Sequence, residues 1–249
     1  MSDKKDSNTG ITYQGIPVHS EKSNSVSEDT KYDGRPVPVN EEIHLPNVPL
    51  VKIKLSDDVM DYLWKRIEAA AEDQHDANQH LAGNISKSLY LTDKDDYFYK
   101  NVLDVVCYDY YLKYHMSIPC FRNSFSNKES PKGMALKNFW VNSQRKNEFN
   151  PLHDHGGVMS FVIWMKIPTR SEDQHALPIV SNSNTPSASD FQMSYTNIFG
   201  GICSVNLAMD PEVEGSMLLF PSTMMHQVYP FYECDDDRIS ISGNLYYKL

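Results

Sequence analysis

The sequence has few cysteines and no apolar run long enough to cross a membrane. None of its four cysteines are spaced as C-x-x-C, so neither a zinc finger nor a thioredoxin-like redox site is predicted. We expect the thiols to be reduced, as in a cytoplasm-like compartment. No apolar stretch approaches the roughly 20 residues of a membrane-spanning helix, and the polar residues 1–10 do not resemble a signal peptide. The sequence therefore predicts a cytoplasmic protein without a membrane partner.

Positive charge is also scarce. The chain of 249 residues has 23 Lys and Arg against 33 Asp and Glu, a formal net charge of −10. A nucleic-acid groove needs clustered Lys and Arg, so we expect no nucleic-acid partner. The hydrophobic content of 40% is typical of a globular protein with a substantial core.

Two regions are predicted along the chain. Residues 1–48 are polar and lack an apolar period, which predicts a disordered or extended N-terminal arm. Residues 49–249 are predicted to form one domain. Within it, helical spacing of apolar residues predicts helices over 56–72, with Ser56 as the N-cap, and over 95–114. We expect both helices to pack outside a sheet.

Short apolar stretches dominate the second half of the sequence and predict strands. Glycine and proline separate them, as in a sandwich or barrel, so the predicted class is mainly β with flanking helices. Residues 73–93 are predicted to be irregular, and residues 169–190 are predicted to be a long loop and a candidate lid. The predicted strands cover residues 134–141, 159–167, 193–199, 202–207, 216–220 and 238–246.

An H-x-H motif precedes the strand predicted over 159–167. In extended backbone, residues i and i+2 point to the same side, so His153 and His155 can aim at one point. Two neutral imidazoles arranged in this way are typical metal ligands. His226, which follows the apolar strand predicted over 216–220, is the candidate third ligand.

The last predicted strand has two different faces. Ile239 and Ile241 alternate with Arg238 and Ser240. If Arg238 points inward it needs an anion, and an Arg and a Ser on one face form a good carboxylate receptor. Alternatively, Arg238 lies at the surface and is neutralised by the acidic residues 235–237.

The order of these motifs resembles that of the iron(II)- and 2-oxoglutarate-dependent oxygenases. In that superfamily a double-stranded β-helix, a jelly-roll or cupin-like core, carries H-x-D/E, a distal His and R-x-S in the same order. More narrowly, residues 50–249 are similar to the 2-oxoglutarate oxygenases of bacteriophages, marine ones in particular. The segments that carry the similarity are 81–85, 140–142, 150–155, 160–168, 220–222 with His226, and 238–244.

The resemblance implies that His153, His155 and His226 bind Fe(II), with one departure from the family pattern. The usual second ligand is Asp or Glu, and His155 occupies that position. Asp154 is an alternative ligand if a bulge turns it inward. A shifted frame, with His155 first and Gly157 in place of the acid, is similar to iron halogenases. Three neutral ligands also leave open a three-His, cupin-type dioxygenase that does not use 2-oxoglutarate.

The resemblance also implies a co-substrate site and a reaction. Arg238 and Ser240 are implied to bind the distal carboxylate of 2-oxoglutarate, with Asn142 as a further contact. The predicted reaction uses O2 to hydroxylate an unidentified small molecule or protein side chain and releases succinate and CO2. A viral origin would place the protein in the host cytoplasm, and a homo-oligomer is compatible with the sequence. The competing interpretation is a non-catalytic β-sandwich that serves as a binding or structural module of a virion or accessory protein.

Overall fold

A computed structural model of the protein describes residues 50–114 and 133–248. The predicted N-terminal arm, residues 1–48, lies outside these ranges. Within the described residues, no helix is long and apolar enough to span a membrane. The cysteines in this part of the chain are free thiols, namely Cys107, Cys203 and Cys234.

The described residues include three α-helices. They are α1 (Asp57–Asp73), α2 (Asp104–Tyr114) and α3 (Ser171–Ala176). Ser56 is the N-cap residue of α1, as predicted, but its side chain makes no capping hydrogen bond. The helix is held instead by its apolar face, which buries Val59, Leu63 and Ala70.

The helix predicted over 95–114 begins later than expected. Asp95 has a φ of 61°, in the left-handed region, so it cannot belong to a right-handed helix. A π-helical turn at Tyr99–Leu103 then leads into α2. The carboxylate of Asp93 accepts the backbone N–H of Phe98 at 2.9 Å and thereby satisfies a free donor of the first turn.

Ten strands in the described residues form two antiparallel sheets. The six-stranded sheet has the order β1-β8-β5-β10-β3-β2, and the four-stranded sheet has the order β4-β9-β6-β7. The strands are β1 (Val51–Lys54), β2 (Lys87–Tyr90), β3 (Met134–Gln144), β4 (Asn150–His153), β5 (Met159–Lys166), β6 (Phe191–Thr196), β7 (Ile202–Leu207), β8 (Ser216–Pro221), β9 (Met225–Val228) and β10 (Arg238–Tyr247).

The path of the chain through the two sheets defines the fold. From β3 to β10, successive strands alternate between the sheets, except that the β6–β7 hairpin stays within the smaller one. This winding is a double-stranded β-helix, which confirms the predicted mainly β fold class. Strands β1 and β2 extend the two edges of the larger sheet.

The two faces of the larger sheet bury different partners. On β5, Ile163 and Met165 belong to the apolar core that includes Leu103 of the helical layer. The alternate residues Val162 and Trp164 line a cavity between the two sheets. Burial of its apolar face packs the helices against one side of the larger sheet. The other side of that sheet faces the cavity.

Two predictions about irregular segments were wrong. Residues 73–93 contain β2, which lacks clear alternation and is set by its register with β3, where Leu89 lies opposite Val141. The loop predicted before β6 contains α3. The N-terminus of that helix is held by a distant carboxylate, because Asp210 accepts the backbone N–H of Ser171 at 2.7 Å. Both elements depend on partners far away in sequence.

Candidate metal centre

The pairing of β4 with β9 brings the H-x-H motif beside the distal histidine. In this antiparallel register His153 lies opposite His226. His155 follows β4, and its backbone N–H donates to the carbonyl of Ser222 at 2.9 Å, which fixes the chain as it leaves the strand. The burial of the motif alternates, with both histidines half-buried and Asp154 between them exposed.

The three imidazoles converge on one point. The ring centroids of His153 and His226 lie 4.3 Å apart, and the centroids in each pair that includes His155 lie 4.9 Å apart. One nitrogen from each ring lies within 4.8 Å of the other two. Imidazole nitrogens at this spacing suit iron, zinc or copper. We name these three residues the histidine end of the cavity.

Backbone carbonyls set the tautomers of two of these rings. The Nδ1 atom of His153 lies 2.6 Å from the carbonyl oxygen of Pro151, and the Nδ1 atom of His226 lies 2.9 Å from that of Met224. A carbonyl can only accept, so each Nδ1 carries the proton and donates it. In the neutral form of each ring, Nε2 then keeps a free lone pair, which is the state required of a metal ligand.

Burial keeps two of the histidines neutral. It lowers the pKa of His155 to about 3, with further lowering from His226 and then His153. It lowers the pKa of His226 to about 4, with His153 acting in the same direction. At neutral pH these rings therefore need not lose a proton before they bind a cation.

Aromatic side chains enclose the histidine end. Phe191 stacks on His226, with ring centroids 5.6 Å apart, and Phe220 meets the same ring edge-on at 5.0 Å. Trp140 lies edge-on to His155 at 5.8 Å. These rings line the cavity and surround the imidazoles with apolar surface.

Asp154 and Gly157, the alternatives within the motif, have different surroundings. Asp154 is exposed, and its carboxylate is not part of the converging group. The charge of Asp154 raises the pKa of His226 and so partly offsets the lowering caused by burial. Gly157 has a φ of 104°, and a Cβ there would lie 2.7 Å from the carbonyl oxygen of Leu245. The turn itself therefore accounts for this glycine.

Arg238 lines the same cavity as the histidines but at its far end. It lies opposite Gln144 in the β10–β3 ladder. Trp140, which contacts His155, stands earlier on β3. A strand rises about 3.3 Å per residue, so the two positions are separated by about 13 Å along β3. We name Arg238 and Ser240 the arginine end of the cavity.

The guanidinium of Arg238 is buried and incompletely paired. The residue is 2% exposed, and its Nη2 donates to the hydroxyl of Ser189. Its Nε and Nη1 have no hydrogen-bond partner among the described residues. Burial lowers the pKa of Arg238 to about 10 while Asp190 opposes the change, so the group stays charged at neutral pH. Buried donors without partners are costly, and a carboxylate is the anion that fits a guanidinium best.

The neighbouring acids do not neutralise Arg238. Asp235 pairs with Lys146 at 2.6 Å, and Asp236 pairs with Lys166 at 3.5 Å. These pairs are at the surface, whereas the guanidinium of Arg238 faces the cavity. The structure therefore excludes the alternative of a surface Arg238.

Ser240 and Asn142 also line the cavity and lie opposite each other in the β10–β3 ladder. Ser88 donates to the Oδ1 atom of Asn142 at 2.7 Å, which orients the carboxamide. Gln144, two residues beyond Asn142, lines the cavity too. Period-two spacing from Asn142 could have identified Gln144, but no local signal pointed to Ser88.

Ser189 is the other residue that sequence reasoning missed. It lies in a stretch rich in Ser and Asn, where nothing in the local pattern distinguishes one hydroxyl from another. Its contact with Arg238 depends on the approach of the segment before β6 to β10. Only the tertiary structure could reveal that approach.

Comparison with protein families agrees with the chemistry of these side chains. Residues 138–244 match the family model described as "Putative 2OG-Fe(II) oxygenase". The matched stretch contains the histidine end and the arginine end in full. No protein of curated function matches the sequence.

Several solved structures are similar to the chain at low identity. A prolyl-4-hydroxylase of Pseudomonas putida has 11% identity and a TM-score of 0.44, with 80% of this chain and 91% of that chain covered. The viral collagen prolyl hydroxylase vCPH of Paramecium Bursaria Chlorella virus-1 also has 11% identity and a TM-score of 0.44, with coverages of 79% and 94%. A prolyl hydroxylase of Trichoplax adhaerens has 14% identity and a TM-score of 0.42, with coverages of 80% and 82%.

Proposed function

We propose that the chain, whose residues 138–244 match a 2OG-Fe(II) oxygenase family model, is a hydroxylase that consumes 2-oxoglutarate and O2 and releases succinate and CO2. In this proposal, His153, His155 and His226 bind Fe(II). Arg238 and Ser240 bind the distal carboxylate of 2-oxoglutarate. Asn142 is a further contact for the co-substrate.

The observation that carries the proposal is the buried guanidinium of Arg238, whose Nε and Nη1 have no partner among the described residues, in a cavity that three histidines also line. A buried cation with free donors destabilises a fold unless an anion joins it. 2-Oxoglutarate has a carboxylate for the arginine end and a keto acid that can chelate a metal at the histidine end. A module with a purely structural metal has no need of Arg238.

The residues present fit the two groups that the proposal requires. Iron(II) and 2-oxoglutarate, when bound, would supply the activation of O2 and the oxidation of a substrate C–H bond. The protein contributes ligand orientation, through the carbonyls of Pro151 and Met224 that hold the Nδ1 protons. It also limits access of water through the aromatic rings around the imidazoles.

The prime substrate, a small molecule or a protein side chain, is expected to meet residues 81–85. Apart from His155, this segment supplies the part of the cavity wall that does not come from the strands of the two sheets, through Leu81, Ala82, Gly83 and Ile85. It is packed closely on β4, because a Cβ at Gly83 would lie 2.1 Å from the Oδ1 atom of Asn150. Loops placed on a rigid scaffold are where specificity usually lies.

The test uses two keto acids that differ at the arginine end. Protein reconstituted anaerobically with Fe(II) and then exposed to O2 is expected to convert 2-oxoglutarate to succinate. Pyruvate has the same keto acid but lacks a distal carboxylate, so its consumption should be at least about tenfold less efficient. Absence of both iron binding and succinate formation would contradict the proposal and favour a non-catalytic module.

The three-histidine ligand set supports a second candidate, a dioxygenase that does not use 2-oxoglutarate. The observation that favours this candidate is the presence of His155, a neutral ligand, at the position where 2-His-1-carboxylate sites have a carboxylate. The same experiment separates the candidates. Tight iron binding with no succinate, and with no effect of 2-oxoglutarate on thermal stability, would favour the second.

A further inference from the structure

Ser189 has a backbone conformation that a residue with a side chain rarely adopts when buried. Its φ is 72°, in the left-handed region, and it is fully buried, with 0% exposure. Glycine adopts this conformation without steric cost, whereas other residues lose about 1 kcal/mol or more. Gly200 and Gly215 have comparable φ values of 82° and 70°. The presence of serine instead of glycine at position 189 therefore indicates that its hydroxyl has a structural or functional role.

The hydroxyl of Ser189 connects Arg238 to a second hydroxyl. Arg238 donates from Nη2 to the Oγ atom of Ser189, which must act there as an acceptor. The Oγ atom also lies 3.3 Å from the Oγ1 atom of Thr169, so the serine proton is free to be donated onward. Donation to Thr169 makes the serine oxygen a better acceptor for the guanidinium.

The turn that carries Ser189 is anchored on both sides. The backbone N–H of Ser189 donates to the carbonyl of Pro230 at 2.8 Å. The carboxylate of Asp190 accepts from His175 Nε2 at 3.1 Å and from Asn206 Nδ2 at 3.0 Å. Both carboxylate oxygens of Asp190 are thus engaged away from the guanidinium. Asp190 raises the pKa of Arg238 by its charge but does not occupy its free donors.

These contacts also revise the role of the segment 169–190. Its sequence predicted a loop and a candidate lid over the site. In the structure its two ends, Thr169 and Ser189, are buried and contact each other beside Arg238. These ends therefore support Arg238 from beside it, and neither of them lines the cavity.

We infer that Ser189 is a positioning residue for the proposed 2-oxoglutarate site. It holds one nitrogen of Arg238 with a neutral acceptor and leaves unpaired donors on Nε and Nη1, either of which can meet the incoming carboxylate. A carboxylate at position 189 would neutralise the guanidinium and compete with the ligand. The inference rests on the proposed function, and it predicts that Ser189 controls affinity for the distal carboxylate while iron binding is unaffected.

The decisive variant is Ser189→Gly, because it removes the hydroxyl while suiting the positive φ. Dissociation of 2-oxoglutarate from the anaerobic Fe(II) protein is measured by calorimetry. The dissociation constant is expected to rise about tenfold, as for other residues that hold a ligand-binding side chain in place. Iron affinity should stay within about twofold, and the melting temperature should not fall. Ser183→Gly, in the exposed part of the same segment, is the matched control and should behave as wild type.

A second variant, Ser189→Asp, places a competing carboxylate beside the guanidinium and also tolerates positive φ. It should weaken 2-oxoglutarate binding more than Ser189→Gly does. Equal 2-oxoglutarate affinity in wild type and in both variants would overturn the inference, and the proposed function would stand.

A readout without 2-oxoglutarate separates failure of the inference from failure of the proposed function. Nitrogen-edited NMR of the Arg238 side chain, assigned with Arg238→Met, is expected to show separate Nη signals in wild type, because Ser189 slows rotation of the guanidinium. In Ser189→Gly these signals should merge. Unchanged signals would overturn the positioning role. If the signals merge in Ser189→Gly but wild type binds no 2-oxoglutarate, the positioning of Arg238 by Ser189 would be supported and the proposed function would be overturned.

Discussion

Burial acts on both the histidine end and the arginine end of the cavity, yet it leaves their side chains with different charges. It is the largest cause of the lowered pKa in each case, from 6.5 to about 3 for His155 and to about 4 for His226. For Arg238 the pKa falls from 12.5 to about 10. The ordinary pKa of imidazole lies near neutral pH, and that of guanidinium lies far above it. The same lowering by burial therefore leaves His155 and His226 neutral and Arg238 charged.

This difference gives the cavity a direction. Neutral imidazoles present lone pairs that attract a cation, whereas the guanidinium presents N–H donors that attract an anion. A ligand with a metal-chelating group at one end and a carboxylate at the other can fit in one orientation only. His226→Ala and Arg238→Met each alter one end and so test whether the two ends act independently, whereas Gly157→Ala and His175→Gln test the stability of the structure next to each end.

The largest effect is expected from His226→Ala, which alters the histidine end alone. Loss of one of three ligands should weaken Fe(II) binding by more than about 100-fold, beyond the range seen for outer-shell changes. The measurement is anaerobic equilibrium dialysis with Fe(II). His75→Ala removes an exposed histidine and serves as the control. Unchanged iron affinity in His226→Ala would show that the metal lies elsewhere.

Arg238→Met alters the arginine end alone and should weaken 2-oxoglutarate binding while leaving iron binding intact. The KM for 2-oxoglutarate, measured from succinate formation, is expected to rise about 10- to 100-fold through the loss of charge-assisted hydrogen bonds. Iron affinity should stay within about twofold. The free energy of unfolding of the ligand-free protein in urea should be unchanged, or should rise by up to about 2 kcal/mol, because a buried cation with two unpaired donor nitrogens is removed.

Lys146→Met is the matched control for this change, since Lys146 is an exposed cation that pairs with Asp235. It should leave the KM for 2-oxoglutarate as in wild type. A parallel loss of iron and 2-oxoglutarate binding in Arg238→Met would mean that the two ends are not separable.

Gly157→Ala tests the turn that leads away from the histidine end. The substitution forces a side chain into positive φ and places its Cβ 2.7 Å from the carbonyl oxygen of Leu245. We expect the free energy of unfolding to fall by about 2 to 3 kcal/mol. Gly200→Ala has a similar φ but no atom within 4 Å of the new Cβ, so it should cost about 1 kcal/mol. Urea denaturation measures both losses. Equal losses of the free energy of unfolding in Gly157→Ala and Gly200→Ala would show that the contact with the Leu245 carbonyl has no effect on stability.

The smallest effect concerns His175, which lies behind the arginine end. A hydrogen bond to Asp190 raises the pKa of His175 against its burial, and the charge of Asp190, the carbonyl of Ala188 and the charge of Asp210 act in the same direction. A pKa raised on folding stabilises the fold fully below the ordinary value near 6.5, and this stabilisation is lost as the pH rises through the raised value.

His175→Gln should therefore lower the free energy of unfolding by less than about 1 kcal/mol at pH 5.5, and by less still at pH 9. Urea denaturation of both proteins at the two pH values measures the difference. A larger loss at pH 9 than at pH 5.5 would contradict the assignment of His175 as a proton-bound partner of Asp190.

Patterns with a short period predicted much of this molecule. Alternation along β10 separated Arg238 and Ser240 from Ile241, and the structure places the first two in the cavity and the third in the core. Spacing at 3.6 residues predicted α1 and its buried Leu63. In each case the backbone repeat alone decides which side chains share a face.

Elements that depend on distant partners could not be predicted in this way. The short strand β2 has no alternation of its own and exists because β3 pairs with it. Helix α3 begins where Asp210 accepts the N–H of Ser171. Ser189 became visible only when its hydroxyl was found beside Arg238.

The sequence by itself determined that His153 and His155 share one side and that an Arg-x-Ser pair follows a later histidine. These are properties of extended backbone and residue order, and they need no tertiary contact. Only the tertiary structure decided that His226 lies opposite His153, because that register joins strands far apart in the chain. The structure also decided that His155 and His226 are neutral and that Arg238 keeps free donors, because desolvation and pairing depend on what encloses a group.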